Sequence, residues 1–193
     1  MLALKTAPAA PAVSVATAKA FCRVTGSDDD ALFAMMVESA TATAEFITQR
    51  ALINQTWVLS LENWPKNGEI SLPKSPVSSL IAARYYNSSN QLQTVSTDDY
   101  YLYANDTEAI VCPGIDKSWP TALAARKNAI EIEFLCGYGA SESSIPSPIR
   151  SWLLLRISTL NEFREEFMQG NLAKIPDTFV NGLLDPFTVT RYA

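Results

Sequence analysis

The sequence contains no histidine and only 7 glycines, and both shortages restrict the chemistry available to the chain. Histidine is the side chain best suited to proton transfer near neutral pH, and it is the commonest metal ligand. Its absence excludes Ser-His-Asp and Cys-His catalysis within one chain. The closely spaced Gly137 and Gly139 are followed by neither the pattern nor the lysine of a P-loop, which excludes a phosphate cradle of that kind.

Cysteines and basic residues are also scarce. Cys22, Cys112 and Cys136 are odd in number and far apart, so they fit neither a disulfide framework nor a zinc knuckle. They are predicted to be small buried hydrophobes in a reducing compartment. With 15 basic against 20 acidic residues, the net charge is −5, and no basic cluster is longer than Arg126-Lys127. DNA binding is therefore disfavoured as the main function.

Paired carboxylates are the remaining groups that support hydrolysis without histidine. Asp98 and Asp99 have the pattern of turn residues, whereas Glu131 and Glu133 stand two apart on a predicted strand, where both are expected on one solvated face. The three aspartates at 28–30 diverge around a helix start, which favours a role opposite the helix dipole over a shared metal ion. The sequence predicts no enzyme, no metal site and no cofactor.

The chain does contain enough apolar sequence for a large core. At 193 residues, with 48% hydrophobic and 18% charged residues, it fits one domain over 1–193 whose surface is partly covered by other proteins. Residues 1–13 include Pro8 and Pro11 and form a run too short and too interrupted for a signal peptide or a membrane span. We expect an extended, proline-stiffened arm on a cytoplasmic protein.

Residues 14–52 have helical periodicity and predict two helices. Ser14 suits the N-cap of the first, from Val15 to about Arg23, and Gly26 is expected to end it. The second is predicted from about Asp29 to Leu52. Its expected buried stripe consists of Leu32, Met36, Ala40, Thr43 and Ile47. The small residues of its central SATATA predict close packing against another helix.

Residues 53–139 change to a period of two, which predicts an inserted, mostly antiparallel β module with one wet face. Strands are expected in TWVLSLENW, at Glu69–Leu72 and in the final AIEIEFLCGYG. Two hairpins are predicted, Val77–Tyr86 with Gln91–Val95 and Tyr100–Tyr103 with Ala109–Cys112. The loop Pro113–Asn128 is interpreted as an ordinary connection, with a contact surface as the alternative.

The stretch 144–170 predicts a long helix that follows two prolines and ends at Gly170. Together with the helices of 14–52 it gives an α+β class, a helical bundle with the inserted β module. Its predicted apolar stripe consists of Ile149, Leu153, Ile157, Leu160, Phe163 and Phe167. Trp152 lies beside this stripe, Leu154 and Leu155 point to other sides, and Arg156 lies within it. The helix therefore needs cover from a second layer of its own domain or from another subunit, and these four residues are predicted to lie at an interface.

Residues 171–193 carry many large apolar side chains for a chain terminus. Fully burying each is worth about 1.5–3 kcal/mol, so this tail must dock either on its own domain or across an interface. Because termini fray unless they are tied down, we favour docking on a partner. The residues expected to make this contact are Phe179, Leu183, Leu184, Phe187 and Tyr192.

Five sequence blocks together resemble a known family. In order, they are SVATAKAFCRV, DDDALFAMMVESATATAEFITQRALINQTWVLSL, LPKSPVSSLIAARYYN, SWPTALAARKNAIEIEFLCGYG and IPSPIRSWLLLRISTLNEFRE. From about Ala7 to Tyr192 the chain resembles the head-tail connector (adaptor) proteins of long-tailed phages and prophages. None of the blocks is catalytic, so their order and spacing carry the resemblance.

The resemblance implies a homo-oligomeric ring, usually twelve-fold, in the neck of the virion after assembly in the host cytoplasm. Such a ring joins the portal protein at the capsid vertex to a stopper or tail-completion protein below. DNA would pass through its middle without specific binding, and the net negative charge would keep DNA from sticking to the channel wall. No membrane partner is implied.

Two other functions stay open on the sequence alone. The first is a DNA-packaging component that binds nucleic acid, because virion genes cluster around DNA translocation; the acidic composition opposes it. The second is a cell-wall hydrolase, suggested only by paired carboxylates such as Glu131 and Glu133.

Overall fold

The structure is a computed structural model, and it describes residues 1–163, 180 and 182–189. The chain divides into two compact units. The β unit combines Met1–Pro8 with Asn54–Gly137, and the helical unit combines Ala9–Ile53 with the described residues from Tyr138 onward. The predicted α+β class with an antiparallel β module is confirmed.

Among the described residues, the helical unit contains the α-helices α1 (Val15–Cys22), α2 (Asp30–Thr48) and α3 (Ser147–Glu162). Ser14 caps α1 as predicted, because its hydroxyl accepts a hydrogen bond of 3.0 Å from the Thr17 N–H. The other ends differ from the prediction. Arg23 rather than Gly26 closes α1, and Gln49 closes α2 before Leu52 is reached; both closing residues are left-handed with φ of 58°.

The helix α3 is shorter at its start than the sequence predicts. Residues Glu142–Ser144 form a separate 3-10 turn, and Pro146 is the N-cap of α3. Pro148 lies in the first helical turn, where a missing backbone donor costs nothing. It also ends earlier than predicted, at Glu162, because Phe163 leaves the helical conformation as the C-cap and is 40% exposed rather than part of the buried stripe. Gly170, the predicted end, lies outside the described residues.

The core of the helical unit lies between its three helices. The helix α2 packs against both α1 and α3, as its small central residues predict, and Ala40 and Ala44 are 1% and 0% exposed. The remaining core includes Ala18, Val37, Ile149, Leu153 and Ile157. Burial of these apolar side chains between the three helices removes them from water and stabilises the helical unit.

The buried stripe of α2 is rotated from the predicted one. It consists of Phe33, Met36, Val37, Ala40, Ala44 and Thr48. The predicted members Leu32 and Thr43 are only half-buried, and Ile47 is 38% exposed. Since apolar residues lie on several sides of α2, the helical period alone permits more than one stripe, and packing decides between them.

The β unit consists of two antiparallel sheets. Their strands are β1 (Leu2–Thr6), β2 (Gln55–Leu61), β3 (Ile70–Ser71), β4 (Val77–Tyr86), β5 (Leu92–Thr94), β6 (Tyr100–Ala104), β7 (Ala109–Pro113) and β8 (Ile130–Cys136). The five-stranded sheet has the order β1-β2-β8-β4-β5, and the three-stranded sheet has the order β3-β7-β6. Both predicted hairpins, β4 with β5 and β6 with β7, are confirmed.

The N-terminal arm is not free. Residues Leu2–Thr6 form the edge strand β1, which pairs antiparallel with β2 in the register Leu2 to Leu59 and Ala3 to Val58. The extended conformation was predicted but the pairing was not, because pairing depends on a strand some fifty residues away that periodicity does not connect to it.

The central strand β8 has two different faces. Ile130, Ile132, Phe134 and Cys136 are all 0% exposed, as the alternation predicts. On the other face, the prediction that Glu133 is solvated is wrong: it is 5% exposed and lies between Lys5 and Arg84. Burial is possible because both carboxylate oxygens have a cationic partner.

The long loop 113–128 is packed onto the β unit. The rings of Trp64 and Trp119 stack with centroids 4.4 Å apart, and each indole N–H donates to a backbone carbonyl, Trp119 to Gly68 and Trp64 to Pro120. Further along, the guanidinium of Arg126 lies 3.8 Å from the ring centroid of Tyr86. These contacts fix the loop over much of its length.

Candidate subunit interface

The helix α2 carries a second apolar stripe on the side opposite the core. This outer stripe consists of Ala31, Met35, Glu38, Ala42 and Phe46. Its members stand three or four positions apart, so they share one face of the helix, roughly half a turn away from the buried stripe. All five are exposed, and the two large apolar members, Met35 and Phe46, are 64% and 75% exposed.

The composition of the outer stripe suits contact with another helix. Its two large side chains are separated by small ones, and an alanine such as Ala42 lets a partner backbone approach closely. Glu38 is its single charged residue. Large apolar side chains gathered on one exposed face mark a contact surface more often than scattered ones do. Phe21 of α1, in the same unit, is a further exposed aromatic at 46%.

A groove adjoins the outer stripe. It has a volume of about 340 Å³ and lies between α2 and the end of α3. Its walls are formed by Leu32, Met35, Met36, Ser39, Leu160 and Phe163. Met35 belongs to both features, so the groove adjoins the stripe at this residue.

The predicted interface residues occupy three kinds of position. Trp152 and Leu184 are 2% and 1% exposed and belong to the core of the helical unit. Leu154, Leu155, Leu183 and Phe187 are half-buried, and all of these except Leu155 pack against that core. Arg156 is exposed. Phe179 and Tyr192 lie outside the described residues.

The described part of the tail docks on its own helical unit, whereas docking on a partner was the favoured prediction. Leu184 enters the core, and the Val189 N–H donates to the Thr48 carbonyl at 3.1 Å. The buried Arg50 donates from Nε to the carbonyl of Phe187. The sequence shows how much apolar surface the tail carries, but the partner that covers this surface is set by tertiary contacts.

The outer stripe was missed by sequence reasoning, although a signal for it exists. Met35 and Phe46 flank the predicted buried stripe of α2, and they are larger and more apolar than an exposed helix face requires. Like α3, α2 carries apolar residues on more than one side, and those on its second side are large and exposed.

The helical unit also contains a few polar contacts that fix α1 relative to its neighbours. Lys19 is 9% exposed and donates from Nζ to both Asp30 at the start of α2 and the carbonyl of Gly26. Burial raises the pKa of the Cys22 thiol more than its hydrogen bond with Ser158 lowers it.

Within the described part of the chain, no group of three or more Cys, Asp or Glu residues could hold a metal ion.

An exposed apolar face on a packed helical unit is typical of a subunit that assembles with other proteins. A comparison with family profiles identifies which assembly is involved. The profile described as phage gp6-like head-tail connector protein matches residues 12–111. The chain belongs to this family, and it is a structural head-tail connector of the virion.

Solved structures of gene transfer agent (GTA) particles contain chains with the same fold. A chain in the neck of an empty GTA particle, computed with C6 symmetry, matches with a TM-score of 0.83 at 24% identity, over 100% of this chain and 97% of that chain. A chain in the virion of a native GTA particle matches with a TM-score of 0.82 at 24% identity, with the same coverage.

A third match comes from the neck of a native GTA particle computed with C12 symmetry, with a TM-score of 0.74 at 23% identity over 99% of this chain and 97% of that chain. At these identities the likeness establishes a shared fold. No curated protein matches the chain. Across the residues that the structure describes, no helix has the length and apolarity needed to cross a membrane.

Proposed function

We propose that the chain forms a homo-oligomeric ring in the neck of a phage or prophage particle, and that the outer stripe of α2 contacts the neighbouring subunit. The observation that carries the proposal is the exposure of Met35 and Phe46, at 64% and 75%, on one face of a helix whose other face is already buried. Similar chains in necks computed with C6 and C12 symmetry support a ring, and twelve copies is the number we favour.

A ring requires an interface between two different surfaces. Each subunit contacts one neighbour with one patch and the other neighbour with another, and the rotation between them closes the circle. The outer stripe supplies one apolar patch. The half-buried Leu155 and the exposed Arg156 on α3 remain predicted contact residues, and they lie on a different helix from the stripe. Phe179 and Tyr192 keep the same predicted role.

The ring joins the portal protein on one side to a stopper or tail-completion protein on the other, with DNA passing through the middle. A net charge of −5 suits a passage that does not retain DNA. The alternative of a nucleic-acid-binding packaging component finds no support in this charge. The hydrolase alternative loses its carboxylate pair, since Glu133 is buried between two cations.

The outer stripe is tested by changing Met35 and Phe46 together to serine. Since both side chains are exposed, the fold should survive, and the midpoint of thermal unfolding of the monomer should change little. Removing two contacts from each interface should shift assembly to at least tenfold higher protein concentration, measured by light scattering together with electron microscopy of rings.

The matched control is Leu92→Ser, because Leu92 is an apolar side chain 48% exposed on β5 of the β unit and does not belong to the outer stripe. This control should assemble like the wild type. Unchanged assembly of the Met35/Phe46 double variant would remove the outer stripe from the interface. A wild-type protein that stays monomeric at high concentration, and in mixtures with the portal protein, would contradict the ring itself.

A further inference from the structure

The edge strand β1 is linked to the rest of the chain in an unusual way. It belongs to the β unit, whereas the chain from Ala9 onward belongs to the helical unit, where Ala12 and Val13 are each 2% exposed. Only residues 7–11 lie between the end of β1 and this anchor, and they include Pro8 and Pro11. The two prolines stiffen this connection, the chain bends at Ala9 and Ala10, and the connection spans at most about 20 Å.

The strand is attached to its sheet mainly by backbone pairing. It has one neighbour, β2, and four of its five residues are exposed, so little apolar surface is buried when it docks. At the start of the chain, the Met1 ammonium donates to the Ser60 carbonyl at 2.8 Å and the Ser60 N–H donates to the Met1 carbonyl at 2.7 Å. These backbone contacts hold the strand without specifying its sequence.

Sequence specificity comes from Lys5. The register with β2 passes from Leu4 opposite Trp57 to Thr6 opposite Thr56, which leaves Lys5 as an additional residue in a β-bulge. Bulges redirect a side chain relative to the regular pleat. Here the Lys5 Nζ lies 2.7 Å from Oε1 of Glu133 on β8, the strand on the far side of β2.

Glu133 needs this lysine. Its second oxygen, Oε2, is 2.7 Å from the Arg84 Nη1, so each carboxylate oxygen has its own cation. With β1 in place the residue is 5% exposed, and departure of β1 would take away the only cation within reach of Oε1 and leave Arg84 as the one remaining partner among the described ion pairs. The edge of the sheet at β2, where β1 pairs, is called the slot below. A strand that pairs there matches Glu133 only if it carries a lysine at the bulge position.

We propose that β1 is an exchangeable strand, and that in the assembled ring it occupies the slot beside β2 of a second copy of this chain. Every copy carries both Lys5 and the Glu133 slot, so the complementary charge and register are available between copies as they are within one. Two prolines restrict the conformations of the short linker, and a ring holds the neighbouring slot at high effective concentration. The proposal rests on the ring proposed above.

The test replaces Ala3 and Val58, which face each other in the β1–β2 register, with cysteine. Facing residues in antiparallel strands have spacings of about 4.5–5.5 Å between Cα atoms, within the range that a disulfide bridges. Assembled protein is oxidised and its chains are separated by denaturing electrophoresis without reductant. Exchange predicts a ladder of covalently linked chains, and docking within one chain predicts single chains with an internal disulfide.

The matched control is the pair Ala104→Cys with Ala109→Cys, which face each other across the tight β6–β7 hairpin and must close within one chain. Wild-type protein treated identically controls for Cys22, Cys112 and Cys136. If the first pair prevents folding, Leu4→Cys with Trp57→Cys is the next pair in the register. Assembled rings that yield only internally linked single chains overturn the exchange but leave the proposed ring intact. Absence of rings from the wild type contradicts the proposed function separately.

Discussion

At the scale of single residues, Glu133 shows how a carboxylate on a strand becomes part of the interior. Burial alone would raise the pKa of its carboxyl, but the hydrogen bonds and charges of Lys5 and Arg84 outweigh burial and hold the pKa below its ordinary value. A depressed pKa in the folded state means that the ionised carboxylate stabilises the fold at neutral pH.

The stabilisation by Glu133 should therefore depend on pH. It is fully present above the unfolded-state pKa, about 4.3 for Glu, and it is lost as pH falls through the lower folded-state pKa. Glu133→Gln should lower the free energy of unfolding at pH 7 by about 2 kcal/mol, because Lys5 and Arg84 lose their counter-charge. The loss relative to wild type should shrink below pH 4, as measured by urea unfolding at several pH values.

Glu131 offers the control for this measurement. It lies on the same strand, is half-buried, and forms no ion pair within the described part of the chain. Glu131→Gln should leave the stability at pH 7 close to wild type, because it removes no ion pair. If the two variants behaved alike, Glu133 would not have the role that its two ion pairs indicate.

At the scale of elements, the tail was predicted to contact a partner and α2 to pack within the helical unit, but the structure covers the tail and exposes one face of α2. The described tail residues complete the core of their own unit, with Leu184 1% exposed. The helix α2 presents its outer stripe instead. Both outcomes follow from close packing, because only apolar side chains whose shapes fit the interior are buried, and the remaining apolar side chains stay exposed.

Leu184→Ala tests the place of the tail in the core. Truncating a leucine buried at 1% exposure should lower the free energy of unfolding by about 2–3 kcal/mol through lost burial and the cavity left behind. Leu92→Ala is the matched control, since Leu92 is 48% exposed on β5 and should change stability by less than about 0.5 kcal/mol. An effect of Leu184→Ala on assembly without any loss of monomer stability would instead place Leu184 at an interface.

At the scale of the whole molecule, the connector family and the acidic composition together limit how the protein can interact with DNA. DNA binding that depends on phosphate contacts needs clustered lysine and arginine, and it weakens steeply as salt rises. The longest basic cluster in this chain is Arg126-Lys127, and Arg126 stacks on Tyr86 within the β unit.

The protein should therefore show no measurable affinity for duplex DNA. We expect fluorescence anisotropy of a labelled duplex to stay flat up to micromolar protein, both at 50 mM and at 200 mM salt. The titration should be made on monomeric and on assembled protein. Binding that weakens with salt would favour the packaging alternative over a passive channel.

The sequence by itself determined which segments form helices and which form the β module, and it indicated the family. The change of period from helical to two located the helices and the β module, the turn residues located both hairpins, and the ordered blocks indicated a head-tail connector. These features depend on neighbouring residues or on block order, which one sequence records directly.

Only the tertiary structure decided which apolar surfaces are covered. In the structure, the buried stripe of α2 differs from the predicted one, Phe46 is exposed and Leu184 lies in the core. The strand β1 pairs with β2, and Glu133 is buried between Lys5 and Arg84. Each outcome depends on residues far apart in the chain. Periodicity shows that a surface is apolar, but its burial is a property of two surfaces that meet, and the meeting is fixed only when the whole chain packs.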